Sequence, residues 1–285
     1  MDLEKLFDER LKGVRVLPDQ KESKKIRRVL LLKGGARYLV SIGINRHTAY
    51  QILSGRRNLP LSVYLKAVKK LPGKIGLKMA KNLSPKVLLP LSLNAQLAYI
   101  AGAMRDGWLI CVKDRPIGIG LAQKDRSWLK EVSSLFEANF EIKPKISGER
   151  LIIYSEIVAL YFHKFLEMPL HGQKDWAMPY EILHSGSKVK KAFVEGFLDA
   201  EGHIKTSARD PQIIFYQNNS EVLRSIAEFL SQSGMTCGSI RKDKRSRNCQ
   251  MAICGRASLL RFAKTFEPRL AKKKKSLSYL RKALS

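Results

Sequence analysis

The stretch VKKAFVEGFLDAEGHIKTS, Val189–Ser207, combines an apolar helical pattern with small residues at its centre. Gly196 and Ala200 lie one turn apart, so they share one face of the predicted helix. Small residues at that spacing allow two helix backbones to approach closely, and such a contact can offset the cost of about 1 kcal/mol that a glycine imposes inside a helix. The pattern predicts a helix that packs tightly on another helix and ends at Glu201.

A second segment, LNAQLAYIAGAMRDGWLICV at Leu93–Val112, repeats this organisation. It is rich in small residues, and its acid, Asp106, is again followed by glycine. A strand-like stretch, a glutamine and an amphipathic helix come after each acid: Gln123 lies 17 positions after Asp106, and Gln217 lies 16 positions after Glu201. The chain therefore contains an internal repeat, and each copy is predicted to run helix, strand, strand, helix, strand, strand, helix.

The two repeated helices predict a metal site. If they pack side by side and in parallel, Asp106 and Glu201 meet at one end of the contact. Neighbouring carboxylates repel each other, and a divalent cation such as Mg²⁺, which prefers oxygen ligands, relieves that repulsion. A purely structural role is the weaker interpretation, because the helix dipole disfavours negative charge at a helix C-terminus. We expect the helix interface to contain the small residues Ala101, Gly102, Gly196 and Ala200.

At Val194–Gly202 the sequence VEGFLDAEG resembles the nine-residue signature of the LAGLIDADG homing endonucleases. The resemblance implies an α+β fold in which two pseudo-twofold related αββαββα units form a DNA-binding saddle. It also implies that the last acid of each motif, here Asp106 and Glu201, binds catalytic Mg²⁺ or Mn²⁺. The first copy, YIAGAMRDG, departs from the family pattern: Ala101 stands where the family prefers glycine, and Arg105 where it prefers glycine or alanine.

The same resemblance assigns further residues to the active site. The family often has a glutamine near the scissile phosphates and a lysine beside each active site. Lys273 has Lys272 and Lys274 as neighbouring alternatives. From the residues alone, the glutamines could equally be ordinary strand ends, and the lysines could position phosphates without chemistry. The full catalytic set implied is Asp106, Glu201, Gln123, Gln217, Lys174 and Lys273.

The N-terminal third contains a second motif. ARYLVSIGINRHTAYQILSGRRNLPLSVYLKAVKKL, Ala36–Leu71, fits three short amphipathic helices, with Gly43 placed for a tight turn and Asn45 for the cap of the next helix. The segment resembles the helix-turn-helix of small bacterial and archaeal repressors and predicts an all-α DNA-binding domain. A helical packing module without a DNA role is the alternative. The residues expected to contact DNA are Arg46, His47, Tyr50, Gln51, Arg56 and Arg57.

The charge of the chain favours a polyanionic partner. Its 53 Lys and Arg residues against 25 Asp and Glu residues give a net charge of +28, and such an excess repels itself in a compact protein unless a partner neutralises it. We expect phosphate contacts from basic residues in and beside the predicted strands, namely Arg126, Arg209, Arg241, Lys242, Lys244, Arg245 and Arg247.

The sequence gives no sign of a membrane span or a secretion signal. No apolar run reaches the 18 or so residues that a membrane helix needs, and the start lacks a charged leader followed by an apolar stretch. The four cysteines lack CxxC spacing, so neither a zinc framework nor a disulfide scaffold is indicated. We therefore expect a cytoplasmic, nucleoid-associated protein.

These patterns predict three domains: residues 1–88, the helix-turn-helix with a linker; 89–186, the first LAGLIDADG unit; and 187–285, the second. The predicted function is that of a monomeric, metal-dependent, site-specific double-strand DNA endonuclease that serves intron homing. Its two unequal units imply a long asymmetric DNA target. Two alternatives remain open: a LAGLIDADG-derived transcription regulator that binds DNA without cleaving it, and a maturase that binds intron RNA.

Overall fold

The computed structural model describes residues 14–67, 76–81, 85–172, 176–207, 209–242 and 248–285. The chain divides into two compact units: residues up to Ser92 together with Phe140–Ile142, and Leu93–Asn139 together with Lys143–Ser285. Within the described ranges, no helix is long and apolar enough to cross a membrane.

The first unit combines short helices with a four-stranded antiparallel sheet of strand order β2-β1-β3-β4. The core side of the sheet is apolar, because every second residue of the strands is buried, as at Val14 and Val16 and again at Val87 and Leu89. The elements are, in chain order, β1 (Val14–Val16), α1 (Gln20–Leu32), α2 (Ala36–Ser41), α3 (Arg46–Leu53), β2 (Leu59–Pro60), α4 (Leu61–Ala67), β3 (Gly76–Lys81) and β4 (Val87–Pro90).

This sheet corrects the expectation of an all-α N-terminal domain. The part of the chain that we expected to form the linker contains β3 and β4. These two strands pair with each other, with Gly76 opposite Pro90 and Met79 opposite Val87. β1 pairs with both β2 and β3 and so lies inside the sheet. Strands of two to six residues carry too little alternation to be recognised, and the pairing of β1 with β3 joins residues more than sixty positions apart.

The second unit contains the predicted repeat. Its first copy runs α5 (Ala95–Ala103), a 3₁₀ turn (Met104–Asp106), β5 (Gly107–Val112), β6 (Arg115–Ala122), α6 (Arg126–Phe140), β7 (Lys145–Ser147), β8 (Arg150–Ile153) and α7 (Glu156–Leu160), which continues as a π-turn (Tyr161–Phe165). After α8 (Tyr180–Leu183), the second copy runs α9 (Ser187–Glu201), β9 (Gly202–Lys205), β10 (Gln212–Gln217), α10 (Ser220–Gln232), β11 (Arg241–Lys242), β12 (Cys249–Ile253), α11 (Arg256–Thr265) and α12 (Ala271–Leu284).

Both copies have the same topology. Their antiparallel four-stranded sheets have the orders β5-β6-β8-β7 and β9-β10-β12-β11. In each sheet, the second strand of the first hairpin pairs with the second strand of the second hairpin. The predicted α+β fold with two αββαββα units is therefore confirmed. One face of each sheet is apolar and packs on helices, as Ile213 and Phe215 of β10 do in the second copy.

Helices α5 and α9 meet through their glycines. A Cβ atom on Gly102 would collide with the carbonyl oxygen of Phe193 and lie 2.6 Å from the backbone nitrogen of Phe197. A Cβ atom on Gly196 would collide with the carbonyl oxygen of Tyr99 and lie 2.9 Å from the backbone nitrogen of Ala103. Because the obstacles are backbone atoms, a side chain at either glycine requires the two helices to move apart. Ala101 is buried on α5 and Ala200 is partly buried on α9.

The two glycines stand at different distances from their acids. Gly196 precedes Glu201 by five residues of α-helix, whereas Gly102 precedes Asp106 by four, most of them in the 3₁₀ turn. A 3₁₀ turn rises about 2.0 Å per residue and an α-helix 1.5 Å, so the shorter segment reaches about the same depth. An alignment counted back from Asp106 places Ala101 opposite Gly196, but the close approach in the structure is made by Gly102.

We expect Gly196→Ala to lower the free energy of unfolding by roughly 2 kcal/mol or more, because overpacking against backbone outweighs the better helix propensity of alanine. Gly102→Ala should behave in the same way. Gly186, the N-cap of α9, has open space where a Cβ atom would lie. Gly186→Ala is the matched control, with an expected loss of at most about 1 kcal/mol, because alanine is a poorer N-cap residue than glycine. Urea denaturation of the three variants measures the difference, and equal stabilities would contradict the close helix contact.

Candidate active site

Asp106 and Glu201 lie at the same end of the α5–α9 pair. Asp106 closes the 3₁₀ turn, and Glu201 is the last residue of α9. Burial raises the pKa of Asp106 to about 6. Burial also raises the pKa of Glu201, to about 7, and the negative charge of Asp106 contributes to that rise. This effect of Asp106 on Glu201 agrees with their placement at the same end of the helix pair.

Lys273, near the start of α12, is the basic residue that approaches both acids. Its ammonium group donates hydrogen bonds to the backbone carbonyls of Leu198 and Asp199, the latter at 2.6 Å. Burial lowers the pKa of Lys273 to about 8, and its positive charge opposes the rise in the pKa values of Asp106 and Glu201. The neighbouring lysines of the same run are exposed, namely Lys272, Lys274 and Lys275. The structure thus favours Lys273 within that run.

The two glutamines end corresponding strands in the two copies. Gln217 is the buried last residue of β10; its side chain hydrogen-bonds to Glu201, and its Oε1 accepts a hydrogen bond of 2.7 Å from the backbone nitrogen of Asn218. Gln123 follows β6, is partly buried, and accepts the equivalent bond of 2.9 Å from the backbone nitrogen of Lys124. Gln217 therefore adjoins Glu201. The other residue of the predicted catalytic set, Lys174, lies outside the described residues.

A buried polar network at Asp199 was not anticipated from the sequence. The Tyr99 hydroxyl donates a 2.7 Å hydrogen bond to Asp199, and the indole nitrogen of Trp128 donates one of 2.7 Å to the Tyr99 oxygen. The same carboxylate oxygen of Asp199 accepts a 2.7 Å bond from the backbone nitrogen of Arg269. Asp199 thereby fixes the segment just before α12 and, with it, the position of Lys273. Asp199 lies within the nine-residue motif, which could have drawn attention to it, but its partners Tyr99 and Arg269 are distant in sequence.

The donor set at the two acids fits Mg²⁺. This ion is commonly held by one or two carboxylates, with water and substrate phosphates completing its coordination. Among the described residues, no basic side chain lies within 4.0 Å of the Asp106 or Glu201 carboxylate oxygens, so those oxygens are not engaged in ion pairs there. The described residues contain no cluster of three or more His, Cys, Asp or Glu. A closed, all-protein metal cage is therefore absent from that part of the chain.

One face of the second sheet is only partly buried and carries both polar and apolar residues. Along β10, Gln212, Ile214 and Tyr216 alternate with buried residues, and a groove beside them is also lined by Arg241 and Gln250. Gln212 and Gln250 were not singled out by sequence, although period-two alternation could have identified them. Of the basic residues expected to contact DNA, Arg126, Arg209, Arg241 and Lys242 are exposed, whereas Lys244, Arg245 and Arg247 lie outside the described residues.

In the first unit, a tight turn at Gly43 joins the short helices α2 and α3. Gly43 has φ 93°, in the left-handed region, and the Asn45 side chain caps α3 by accepting a 2.9 Å hydrogen bond from the backbone nitrogen of His47. The Arg57 guanidinium holds the side chains of Thr48 and Gln51 on α3. The candidate contact residues are all outside the core and mostly exposed, namely Arg46, His47, Tyr50, Gln51, Arg56 and Arg57.

The raised pKa values of the acids predict a pH-dependent stability. Between about pH 4 and pH 7 the folded protein binds more protons at Asp106 and Glu201 than the unfolded chain, so the free energy of unfolding falls as the pH rises. In metal-free buffer, Glu201→Gln should reduce this decline, whereas Glu137→Gln on the exposed side of α6 should not. Urea denaturation at about pH 5 and about pH 7.5 checks this, and equal declines in the two variants would contradict it.

Comparison with known proteins identifies the second copy of the repeat. A family model described as a LAGLIDADG-like domain matches residues 188–267, which run from α9 into the segment after α11. Among solved structures, this chain is similar to I-DmoI in complex with DNA and Ca, with 18% identity, a TM-score of 0.49, and 65% of this chain and 97% of that chain covered. It is also similar to I-SmaMI bound to uncleaved DNA target in the presence of calcium ions, with 13% identity, a TM-score of 0.42, and 68% and 91% covered.

Among curated proteins, a component of the A-type ATP synthase of Pyrococcus abyssi (strain GE5 / Orsay) is 27% identical over 134 residues. The match covers 45% of this chain, and it spans only 13% of the length of that relative. The family match lies on the helix that carries VEGFLDAEG and on the strands and helices that follow it. Residues 188–267 therefore match a LAGLIDADG-like domain, the family that the nine-residue motif resembles.

Proposed function

We propose that the protein is a metal-dependent, site-specific DNA endonuclease whose catalytic acids are Asp106 and Glu201. The observation that carries this proposal is the convergence of the two carboxyl groups at the end of the α5–α9 pair, where each has a raised pKa and the charge of one acts on the other. Two carboxylates held together by a tight helix contact suit an oxygen-seeking divalent cation better than any other ligand.

The residues of the site have distinct roles. Asp106 and Glu201 hold Mg²⁺ or Mn²⁺, and Gln217 orients Glu201 through its hydrogen bond. When bound, the cation supplies the Lewis acidity that activates water and offsets charge at the phosphodiester. Lys273 places a positive charge beside both acids, where it stabilises charge that develops on the phosphate. Gln123 and Lys174 complete the set by analogy between the two copies.

The surface of the protein supports DNA as the substrate. A net charge of +28 favours a polyanion, and the sheet of the second copy presents Gln212, Gln250 and Arg241, side chains that donate hydrogen bonds to base edges and phosphates. The halves are unequal, so the target is a long asymmetric duplex read by a monomer. We assign residues 1–88 to the helix-turn-helix domain, 89–186 to the first unit and 187–285 to the second.

The capped helix-turn-helix favours a second candidate function. A LAGLIDADG-derived regulator would use the same surfaces and would bind duplex DNA tightly without cutting it. An intron maturase would instead prefer structured intron RNA to duplex DNA. Intron homing and a cytoplasmic, nucleoid-associated location belong to the endonuclease proposal, and an interrupted host gene around the reading frame would support both.

The endonuclease proposal predicts cleavage that depends on both acids. A plasmid that carries the host insertion site, rejoined without the interrupting sequence, should be cut at a discrete site in Mg²⁺ or Mn²⁺, with the ends mapped by sequencing. Asp106→Asn and Glu201→Gln should each lower the cleavage rate by a factor of about a thousand or more, because removal of a metal-binding charge withdraws transition-state stabilisation. Glu137→Gln should cleave like the wild type. Binding without scission under every metal condition would select the regulator instead.

The first unit predicts a salt-dependent contribution to DNA binding. Arg56→Ala and Arg57→Ala should each weaken binding across all sequences and reduce the slope of log affinity against log salt by about 1, because each removes one phosphate contact. Lys24→Ala, on α1 outside the helix-turn-helix, is the control. Fluorescence anisotropy over a salt series measures both quantities, and unchanged slopes would assign this unit to packing alone.

A further inference from the structure

Arg105 is a charged residue in the interior. It lies in the 3₁₀ turn between Met104 and Asp106, and only 1% of its surface is exposed. The family pattern prefers a small residue here, yet the guanidinium does not separate the helices, because the 3₁₀ turn directs it to the segment that leads into α8. There it donates hydrogen bonds to the carbonyls of Trp176 and, at 2.8 Å, Ala177, and it stacks 3.8 Å from the centre of the Trp176 ring.

These contacts hold the guanidinium without neutralising it. Backbone carbonyls and an aromatic face carry no net charge, and no described carboxylate lies within 4.0 Å of Arg105. Its Nε is buried and has no hydrogen-bond partner among the described residues. A buried cation in a region of low dielectric acts on other charges over a longer distance than a solvated one. The positive charge of Arg105 can therefore act on the other charged groups near it.

On α9, the charge that interacts with Arg105 is that of Glu201. The guanidinium lies 5.9 Å from the ring of Phe197, one turn before Glu201 on α9, and the two charges interact. Arg105 is also the sequence neighbour of Asp106. Lys273 resembles Arg105 in that two backbone carbonyls hold its charge. Two cations thus stand near three carboxylates, those of Asp106, Glu201 and Asp199, and the five side chains sum to a charge of −1 when all are ionised.

We propose that Arg105 is a fixed buried cation that weakens divalent-metal binding at Asp106 and Glu201 in the DNA-free protein. The guanidinium repels any second cation that the carboxylates attract, and it cannot move away, because two hydrogen bonds and the Trp176 ring hold it. DNA phosphates entering the site supply the missing negative charge, so metal and DNA each strengthen the binding of the other. This inference rests on the proposed function, which places the metal at the two acids.

Calorimetric titration with Ca²⁺ alone, on the full chain without DNA, tests the role of Arg105. Arg105→Met removes the charge and keeps an apolar stem for stacking; Arg105→Gln removes the charge and keeps an amide that donates to a carbonyl. Both should bind Ca²⁺ about tenfold more tightly than the wild type or better, because a like charge is gone from a low-dielectric site. Arg105→Lys retains the charge and should stay near wild-type affinity.

Arg28→Met is the matched control, since it removes one positive charge from the exposed side of α1. Its Ca²⁺ affinity should change far less than that of Arg105→Met. Near-ultraviolet circular dichroism identifies the variants that fold, and either folded neutral variant decides the question. Ca²⁺ binding that is unchanged or weaker in the folded neutral variant, including no binding by it and the wild type alike, overturns the inference.

A double variant separates failure of this inference from failure of the proposed function. Asp106→Asn with Glu201→Gln should abolish the tight Ca²⁺ binding of Arg105→Met when the changes are combined. If that binding survives, the metal lies elsewhere and the proposed active site is wrong. If it disappears but the wild type and Arg105→Met bind Ca²⁺ equally, the active site stands and only the role of Arg105 fails.

Discussion

The contact between the backbones of Gly102 and Gly196 determines where every functional group of the second unit lies. Each glycine faces carbonyl oxygens and amide nitrogens of the opposite helix at distances that exclude a Cβ atom. Helices that approach so closely bring their ends together as well, and the ends carry the two acids. The energetic penalty of a mid-helix glycine is thus offset by dense packing between α5 and α9.

This arrangement forces polar groups into an environment that would otherwise be apolar. The acids, Lys273 and Arg105 all have pKa values displaced by burial in the direction that disfavours charge. The structure compensates with backbone carbonyls, which hold both cations and leave the carboxylate oxygens open. In a site organised in this way, the positive charges of Arg105 and Lys273 offset much of the negative charge of the carboxylates before any ligand binds.

Much of the second unit could be predicted from the sequence, because its decisive signals are local. VEGFLDAEG marks α9, the repeat of acid and glutamine positions reveals the duplication, and the strands alternate clearly enough to give the αββαββα order. The sheet of the first unit was missed for the opposite reason. Its strands are short, and β1 finds its partners only through pairing with residues far along the chain.

The site shows the same division between local and long-range information. Asp106 and Glu201 follow from the motif, and the 3₁₀ turn explains how Arg105 is accommodated at a position that favours small residues. The hydrogen bond from Tyr99 to Asp199 joins residues 100 positions apart, and no local sequence pattern around either residue predicts it. Arg269 likewise enters through tertiary contact, by its backbone nitrogen at Asp199 and its guanidinium over the Tyr99 ring.

That hydrogen bond also makes the two copies non-interchangeable. When α5 and α9 are aligned on their contact glycines, Phe193 occupies in the second copy the place that Tyr99 occupies in the first, since the carbonyls of these two residues face Gly102 and Gly196. A symmetric dimer built from two second copies would bury two aspartates, each facing a phenylalanine that lacks a hydroxyl group. Each copy therefore depends on the other for this hydrogen bond, since the first copy supplies the hydroxyl group and the second supplies the carboxylate.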